Sequence, residues 1–141
     1  MKGLRIALLV IHIVIGIGAL GGGYACLADP INPAGVSIEL LKGSPFETFL
    51  IPGIVLFGLF GIGNCVSCIL LVKRFTYHGY IAAILGGAMI IWIVVQVMVI
   101  QSIVFLHILF LSIGAIQGLI GLALLWEERL FPMNLICRKN I

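Results

Sequence analysis

The stretch from Lys42 to Val72, KGSPFETFLIPGIVLFGLFGIGNCVSCILLV, begins with polar residues and continues as an apolar run long enough to cross a lipid bilayer. Ser44 and Glu47 have the spacing of a capping box, with Pro45 at the first helical position, so a helix is predicted to begin at residue 45. Pro52 falls inside this predicted helix, where its ring and missing N–H bend the backbone. We therefore expect a kink at Pro52, and a hinge is the alternative.

Four such runs occupy nearly the whole chain of 141 residues, of which 62% are hydrophobic and 9% are charged. A soluble domain of this size does not bury so large an apolar fraction. The predicted fold class is all-α: one domain, residues 1–141, of four antiparallel transmembrane helices with an ordered outer loop between the first two. The spans are predicted at about 6–25, 45–72, 79–100 and 103–126, since a span needs about 20 apolar residues.

Lysine and arginine are concentrated on one side of this predicted topology. Seven of the eight precede the first span, separate the second from the third, or follow the fourth: Lys2, Arg5, Lys73, Arg74, Arg129, Arg138 and Lys139. The eighth, Lys42, lies on the other side, beside the acidic residues Asp29, Glu39 and Glu47. The positive-inside rule then predicts that both termini are cytoplasmic and that the first loop faces outward.

The first span has some features of a secretory signal peptide, including a basic start and a small-residue end before Cys26. Its apolar run is longer than the usual core of about 7–15 residues, and Tyr24 is bulky for a cleavage site. We therefore expect an uncleaved membrane span.

Five polar side chains lie inside the predicted spans and sort into two layers by height. At about 1.5 Å per helical residue, His12, Asn64 and Gln117 lie roughly 9, 12 and 14 Å from the cytoplasmic edge. Gln96 and His107 lie roughly 25–27 Å from that edge. Members of a layer are expected to hydrogen-bond each other, because an unpaired polar group in hydrocarbon costs several kcal/mol. Such bonds would hold the helices together; a water-lined cavity or proton path is the alternative.

Two pairs of glycines, Gly18 with Gly22 and Gly114 with Gly118, have the GxxxG spacing that lets two helices approach closely. Both pairs are predicted to mark helix-packing faces, within this chain or between copies of it.

Cys65 and Cys68 form a C-x-x-C pair in the middle of the second span. Thiol oxidoreductases place such a pair at an exposed helix start, where the thiolate is stabilised. We interpret this pair as small packing residues and keep a redox role as the alternative. His12, Cys65 and Cys68 supply no fourth ligand for zinc, so neither a metal site nor a cofactor is predicted.

Several short motifs carry a resemblance to a known group of proteins: Asp29-Pro30, Ser44-Pro45-Phe46, Ile51-Pro52-Gly53, and Trp92-Ile93 with Gln96. Together they resemble a family of uncharacterised bacterial four-helix integral membrane proteins. The resemblance implies the four-span architecture and a bacterial cytoplasmic membrane. It implies no activity and transfers no catalytic residue.

Three hypotheses about function remain, and no catalytic motif decides among them. The first is a non-enzymatic accessory or structural membrane protein that packs against itself or a larger membrane partner. The second is a small homo-oligomeric transporter or channel, and the third is a membrane thiol redox enzyme. The expected surroundings are the lipid bilayer of the cell membrane, and the net charge of +3 is explained by topology, without a nucleic-acid partner.

Overall fold

The computed structural model describes residues 2–132, and this part of the chain is helical without any strand. Its four long helices are α1 (Lys2–Ala28), α2 (Leu50–Val72), α3 (His78–Ile100) and α4 (Phe105–Glu127). Each is long and apolar enough to cross a membrane, with a mean hydropathy between 2.3 and 2.5. Composition therefore predicted the all-helical class and the number of membrane-length helices. Arg138, Lys139 and Cys137 lie outside the described residues.

Helix α2 begins at Leu50, which corrects the expected start at residue 45. The Ser44 hydroxyl accepts the N–H of Phe46 at 3.1 Å, so it closes a local turn and does not cap a helix with Glu47. Pro52 is consequently the third residue of α2. The first N–H groups of a helix have no partner inside it, so the missing N–H of proline is tolerated there. Had the helix begun at residue 45, Pro52 would have broken it.

The irregular part of α2 lies just beyond Pro52, in a π-helical segment from Val55 to Ile62. At the end of this segment the N–H of Gly63 donates to the carbonyl of Gly58, five residues back. Segments of this kind are rare and occur often at functional sites. The backbone returns to α-helix from Gly63 to Val72.

Helices α1 and α2 touch through glycines. A Cβ atom added to Gly23 would lie 2.6 Å from the backbone nitrogen of Phe57, closer than a real Cβ atom comes to any neighbour. A Cβ on Gly53 would lie 2.6 Å from the Cβ of Cys26. The two helices therefore pack backbone against backbone, as small residues permit in membrane helix pairs.

Helices α3 and α4 form a second close pair through Gly86, Gly114 and Gly118. A Cβ on Gly86 would lie 2.4 Å from the backbone nitrogen of Gly118 and 2.6 Å from the carbonyl oxygen of Gly114. The structure thus places the Gly114–Gly118 pair directly at a contact between two helices. Replacing Gly86 would force these helices apart.

Different contacts connect the chain segments at the two ends of the bundle. The Arg5 guanidinium donates to a Glu128 carboxylate oxygen at 2.8 Å, which brings the start of α1 beside the end of α4. We call this the terminal end. At the opposite end, the loop end, the N–H of Phe49 donates to the carbonyl of Pro30 at 2.8 Å. Leu41 and Phe49 are buried there, so the connection between α1 and α2 packs onto the bundle.

Candidate functional site: a buried polar triad and an adjoining cavity

Three polar side chains from three helices meet in the interior: His12 of α1, Asn64 of α2 and Gln117 of α4. The His12 Nδ1 atom lies 2.7 Å from the Asn64 Oδ1 atom, and the Gln117 amide nitrogen donates to the same oxygen at 3.0 Å. All three residues are at most 1% exposed. The structure thus brings together the three residues that the sequence assigns to one layer. We refer to them as the polar triad.

A third hydrogen bond fixes the orientation of the Asn64 side chain. Its amide nitrogen donates to the carbonyl of Phe60 at 2.8 Å, so its oxygen must face His12 and Gln117. His12 then donates through its Nδ1–H, which is the tautomer the network requires. The Gln117 nitrogen also lies 3.3 Å from His12 Nδ1, a close approach between two donors that share one acceptor. Phe60 belongs to the π-helical segment, so that segment supplies the carbonyl that orients the centre of the triad.

The polar triad suits helix association. Its members are neutral amides and a neutral imidazole, which removes the cost of burying a charge. Interhelical bonds of this kind contribute about 0.6–2 kcal/mol each in membrane proteins. The Gln117 side-chain oxygen is buried and has no hydrogen-bond partner among residues 2–132.

A cavity of about 310 Å³ lies nearer the loop end, among all four long helices. Most of its wall is apolar, including Ile15, Met89 and Phe110. Gly18 and Gly22 also border it, so the structure places this GxxxG pair on a cavity wall. A Cβ on Gly18 would have the side chain of Phe110 as its nearest neighbour, at 3.9 Å. Of this pair only Gly18 leaves open space, since a Cβ on Gly22 would lie 3.1 Å from the side chain of Leu56.

Three polar side chains border this cavity: Trp92, Gln96 and His107. The His107 Nδ1 atom accepts the backbone N–H of Val104 at 3.3 Å, across the first turn of α4. The expected hydrogen bond between Gln96 and His107 is absent from residues 2–132, where the His107 side chain bonds only to the backbone of Val104. The reason is that α4 begins at Phe105 and not at residue 103, which puts the ring of His107 within reach of its own helix start.

The cavity does not extend to the polar triad. Ile15, Ala19 and Met89 belong to a buried apolar cluster that includes Phe60, and these three also form part of the cavity wall. On the other side of the triad, Leu8 and Leu124 belong to a second buried cluster. The interior therefore alternates between apolar and polar layers.

The cysteines carry no disulfide among the described residues, where Cys26, Cys65 and Cys68 are free thiols. Cys65 packs against α1, since a Cβ on Gly16 would lie 3.3 Å from its sulfur. Within residues 2–132 no group of three or more histidine, cysteine or acidic side chains is placed to hold a metal ion.

Sequence reasoning did not identify Trp92 as a residue with a buried polar group. Its indole nitrogen is buried and has no acceptor among residues 2–132, and the ring packs 6.3 Å from that of Phe60. A tryptophan in the middle of a predicted span, away from the interfaces that tryptophan prefers, was the available signal.

Comparison with protein-family models, with curated proteins and with solved structures found no match to this chain. The class of protein is therefore defined by the fold alone: an all-helical chain with four membrane-length helices, which indicates a membrane protein.

Proposed function

We propose that this chain is an integral protein of a bacterial cytoplasmic membrane, with four antiparallel spans and both termini in the cytoplasm. Large apolar side chains on the outside of the bundle support membrane insertion; Ile17, Ile91 and Met98 are each 67% exposed. A surface of this kind is unfavourable in water and suits lipid.

Contacts and charges support the proposed topology. The ion pair between Arg5 and Glu128 joins the start of α1 to the end of α4, as expected when the chain crosses an even number of times. Lys73 and Arg74 follow α2, and Asp29 and Glu39 lie in the loop after α1. This asymmetry favours a cytoplasmic terminal end.

The topology can be tested by labelling single cysteines in intact cells with a membrane-impermeant maleimide, in a background without the four native cysteines. Glu39→Cys is expected to react in intact cells, since the Glu39 side chain is 71% exposed. Lys73→Cys is expected to react only after the cells are lysed. The reverse pattern would refute the proposed orientation.

The proposed role of the protein is that of a non-enzymatic accessory or structural component, which packs against a second copy or a larger membrane protein. The observation that carries this proposal is the polar triad. Its three members, His12, Asn64 and Gln117, bond mainly to one another and are at most 1% exposed. A proton path would need them to reach water, and a catalytic group would need to reach a substrate.

The experiment that tests this role is native mass spectrometry of the tagged protein after gentle extraction from its own membrane. A second polypeptide at fixed stoichiometry, or a defined homo-oligomer, is the expected result. A monomer without a partner, recovered under conditions that keep a known membrane complex intact, would contradict it.

A small homo-oligomeric transporter or channel is the second candidate, and the cavity of about 310 Å³ is the observation that favours it. In that case proton or solute flux into liposomes should depend on His107, which borders the cavity. Flux that is equal for the wild type, for His107→Ala and for empty liposomes would exclude this candidate.

A further inference from the structure

The cavity bordered by Gly18, Trp92 and His107 has the size and lining of a small-molecule site. Its volume of about 310 Å³ lies at the lower end of the range for ligand pockets, about 300–1,000 Å³. Such pockets combine an apolar wall with a few polar groups, and this wall is apolar apart from Trp92, Gln96 and His107.

The mouth of the cavity lies on the outer surface of the bundle, between α1 and the start of α4. Gly18 and Gly22 border the cavity and are exposed, and so are Val104 and Leu106 across the opening. Leu106 is 56% exposed. If the helices span a membrane, as proposed above, a molecule would enter this mouth from the lipid.

The polar groups of the cavity determine which end of a ligand they would bind. His107 accepts the backbone N–H of Val104 through Nδ1, so its neutral ring carries the proton on Nε2. Trp92 can only donate, and its buried N–H has no acceptor in the described residues. Gln96 adds an amide that can also donate. Two of these three groups are donors only, so the complementary ligand group is a hydrogen-bond acceptor.

We propose that this cavity binds a lipophilic molecule of the bilayer that carries a carbonyl oxygen, with the apolar part against α1 and α2 and the carbonyl near Trp92 and His107. A lipid ester and a quinone share this chemistry. This proposal rests on the membrane placement proposed above only in that the ligand would come from the bilayer. Its test does not depend on any protein partner.

The test uses Trp92 as the reporter. The chain has two tryptophans, so the variant Trp126→Phe leaves Trp92 alone. The purified protein in detergent is titrated with three probes that quench tryptophan fluorescence: a decyl-substituted benzoquinone, the methyl ester of a dibrominated fatty acid, and a brominated hydrocarbon of equal length. Saturable quenching at one molecule per chain is expected for at least one carbonyl probe, with about tenfold weaker binding of the hydrocarbon.

Matched glycine variants separate the cavity from the detergent micelle. Gly18→Leu should weaken binding by about tenfold or more, because the new side chain fills the mouth. Gly21→Leu lies on the same helix, and a Cβ there meets nothing within 4 Å, so binding should be unchanged. Gln96→Leu, which adds no side chain at the mouth, should weaken the carbonyl probes but not the hydrocarbon, and it serves if Gly18→Leu does not fold.

Saturation by the benzoquinone alone would identify a quinone as the ligand class, and saturation by the ester alone would identify a lipid ester. Three results would overturn the proposal: quenching that rises linearly without saturation, equal quenching in Gly18→Leu and Gly21→Leu, or equal affinity for the hydrocarbon and the carbonyl probes. Because the readout needs no partner protein, a negative result in mass spectrometry would leave it untouched.

Discussion

Replacing Asn64 by leucine is the sharpest test of the polar triad. Asn64 is its centre: its oxygen accepts from both His12 and Gln117, and its nitrogen donates to Phe60. Leucine has the same number of side-chain heavy atoms, branched at the same position, and cannot form these bonds. The substitution therefore removes the polar contacts without opening a large cavity.

The expected loss of stability follows from the bonds removed. The two interhelical bonds contribute about 0.6–2 kcal/mol each. Their donors on His12 and Gln117 would then be buried without that acceptor, which costs about 1–3 kcal/mol for each group left unsatisfied. Since the two donors can partly rearrange toward other acceptors, we expect Asn64→Leu to lower the free energy of unfolding by about 2–4 kcal/mol.

The measurement is reversible unfolding in mixed micelles, followed by circular dichroism as the SDS fraction rises. Ser67→Ala is the matched control, because Ser67 is also buried on α2 but bonds within its own helix, to the carbonyl of Gly63 at 2.9 Å. It should cost less than about 1 kcal/mol, since such back-bonding stabilises a helix little. A double variant with Gln117→Leu should be clearly non-additive, because both residues belong to one network. If Asn64→Leu costs no more than Ser67→Ala, or if the double variant is additive, the triad does not hold the helices together.

Three further outcomes can be measured by the same unfolding assay. Gly86→Ala should lower the free energy of unfolding by about 1–3 kcal/mol, because its methyl group would overlap α4. Gly87→Ala should be neutral or stabilising, since a Cβ there meets nothing within 4 Å. Equal effects of the two variants would contradict the close packing of α3 and α4. Arg74→Gly should stabilise by up to about 1 kcal/mol, because Arg74 has a φ of 54° at the end of α2, and a lower midpoint would refute this. Alanine variants of Arg5 and Glu128 should show a coupling of up to about 1 kcal/mol that weakens as salt is raised. A salt-independent coupling would contradict an ion pair that is partly exposed to solvent.

The sequence was sufficient for the properties that are local to each helix. Four apolar runs of membrane length follow from hydropathy, and the four helices of the structure follow these runs apart from their ends. The grouping of His12, Asn64 and Gln117 needed only the helical rise and an assumed topology, because residues at equal height in neighbouring helices can reach each other. Whether this group stabilises the bundle or serves another role stays a prediction.

The sequence was insufficient where a residue has two local options and the neighbouring elements decide between them. Ser44 and Pro45 offered a plausible helix start, but the helix begins at Leu50, which places Pro52 in its first turn. Just before it, the N–H of Phe49 donates to the carbonyl of Pro30. The π-helical segment from Val55 to Ile62 had no signal that separates it from an ordinary apolar helix.

The two GxxxG pairs show the same division most clearly. Spacing alone treats Gly18–Gly22 and Gly114–Gly118 as equivalent, because both remove side chains from one stripe of a helix. In the structure the second pair lies against Gly86. The first pair borders the cavity, with Gly18 beside Phe110 and Gly22 against Leu56. The sequence by itself determined where the helix surfaces lack side chains. Only the tertiary structure decided whether a neighbouring backbone fills that space or leaves it open, because that depends on which helices meet and on the side chains they carry there.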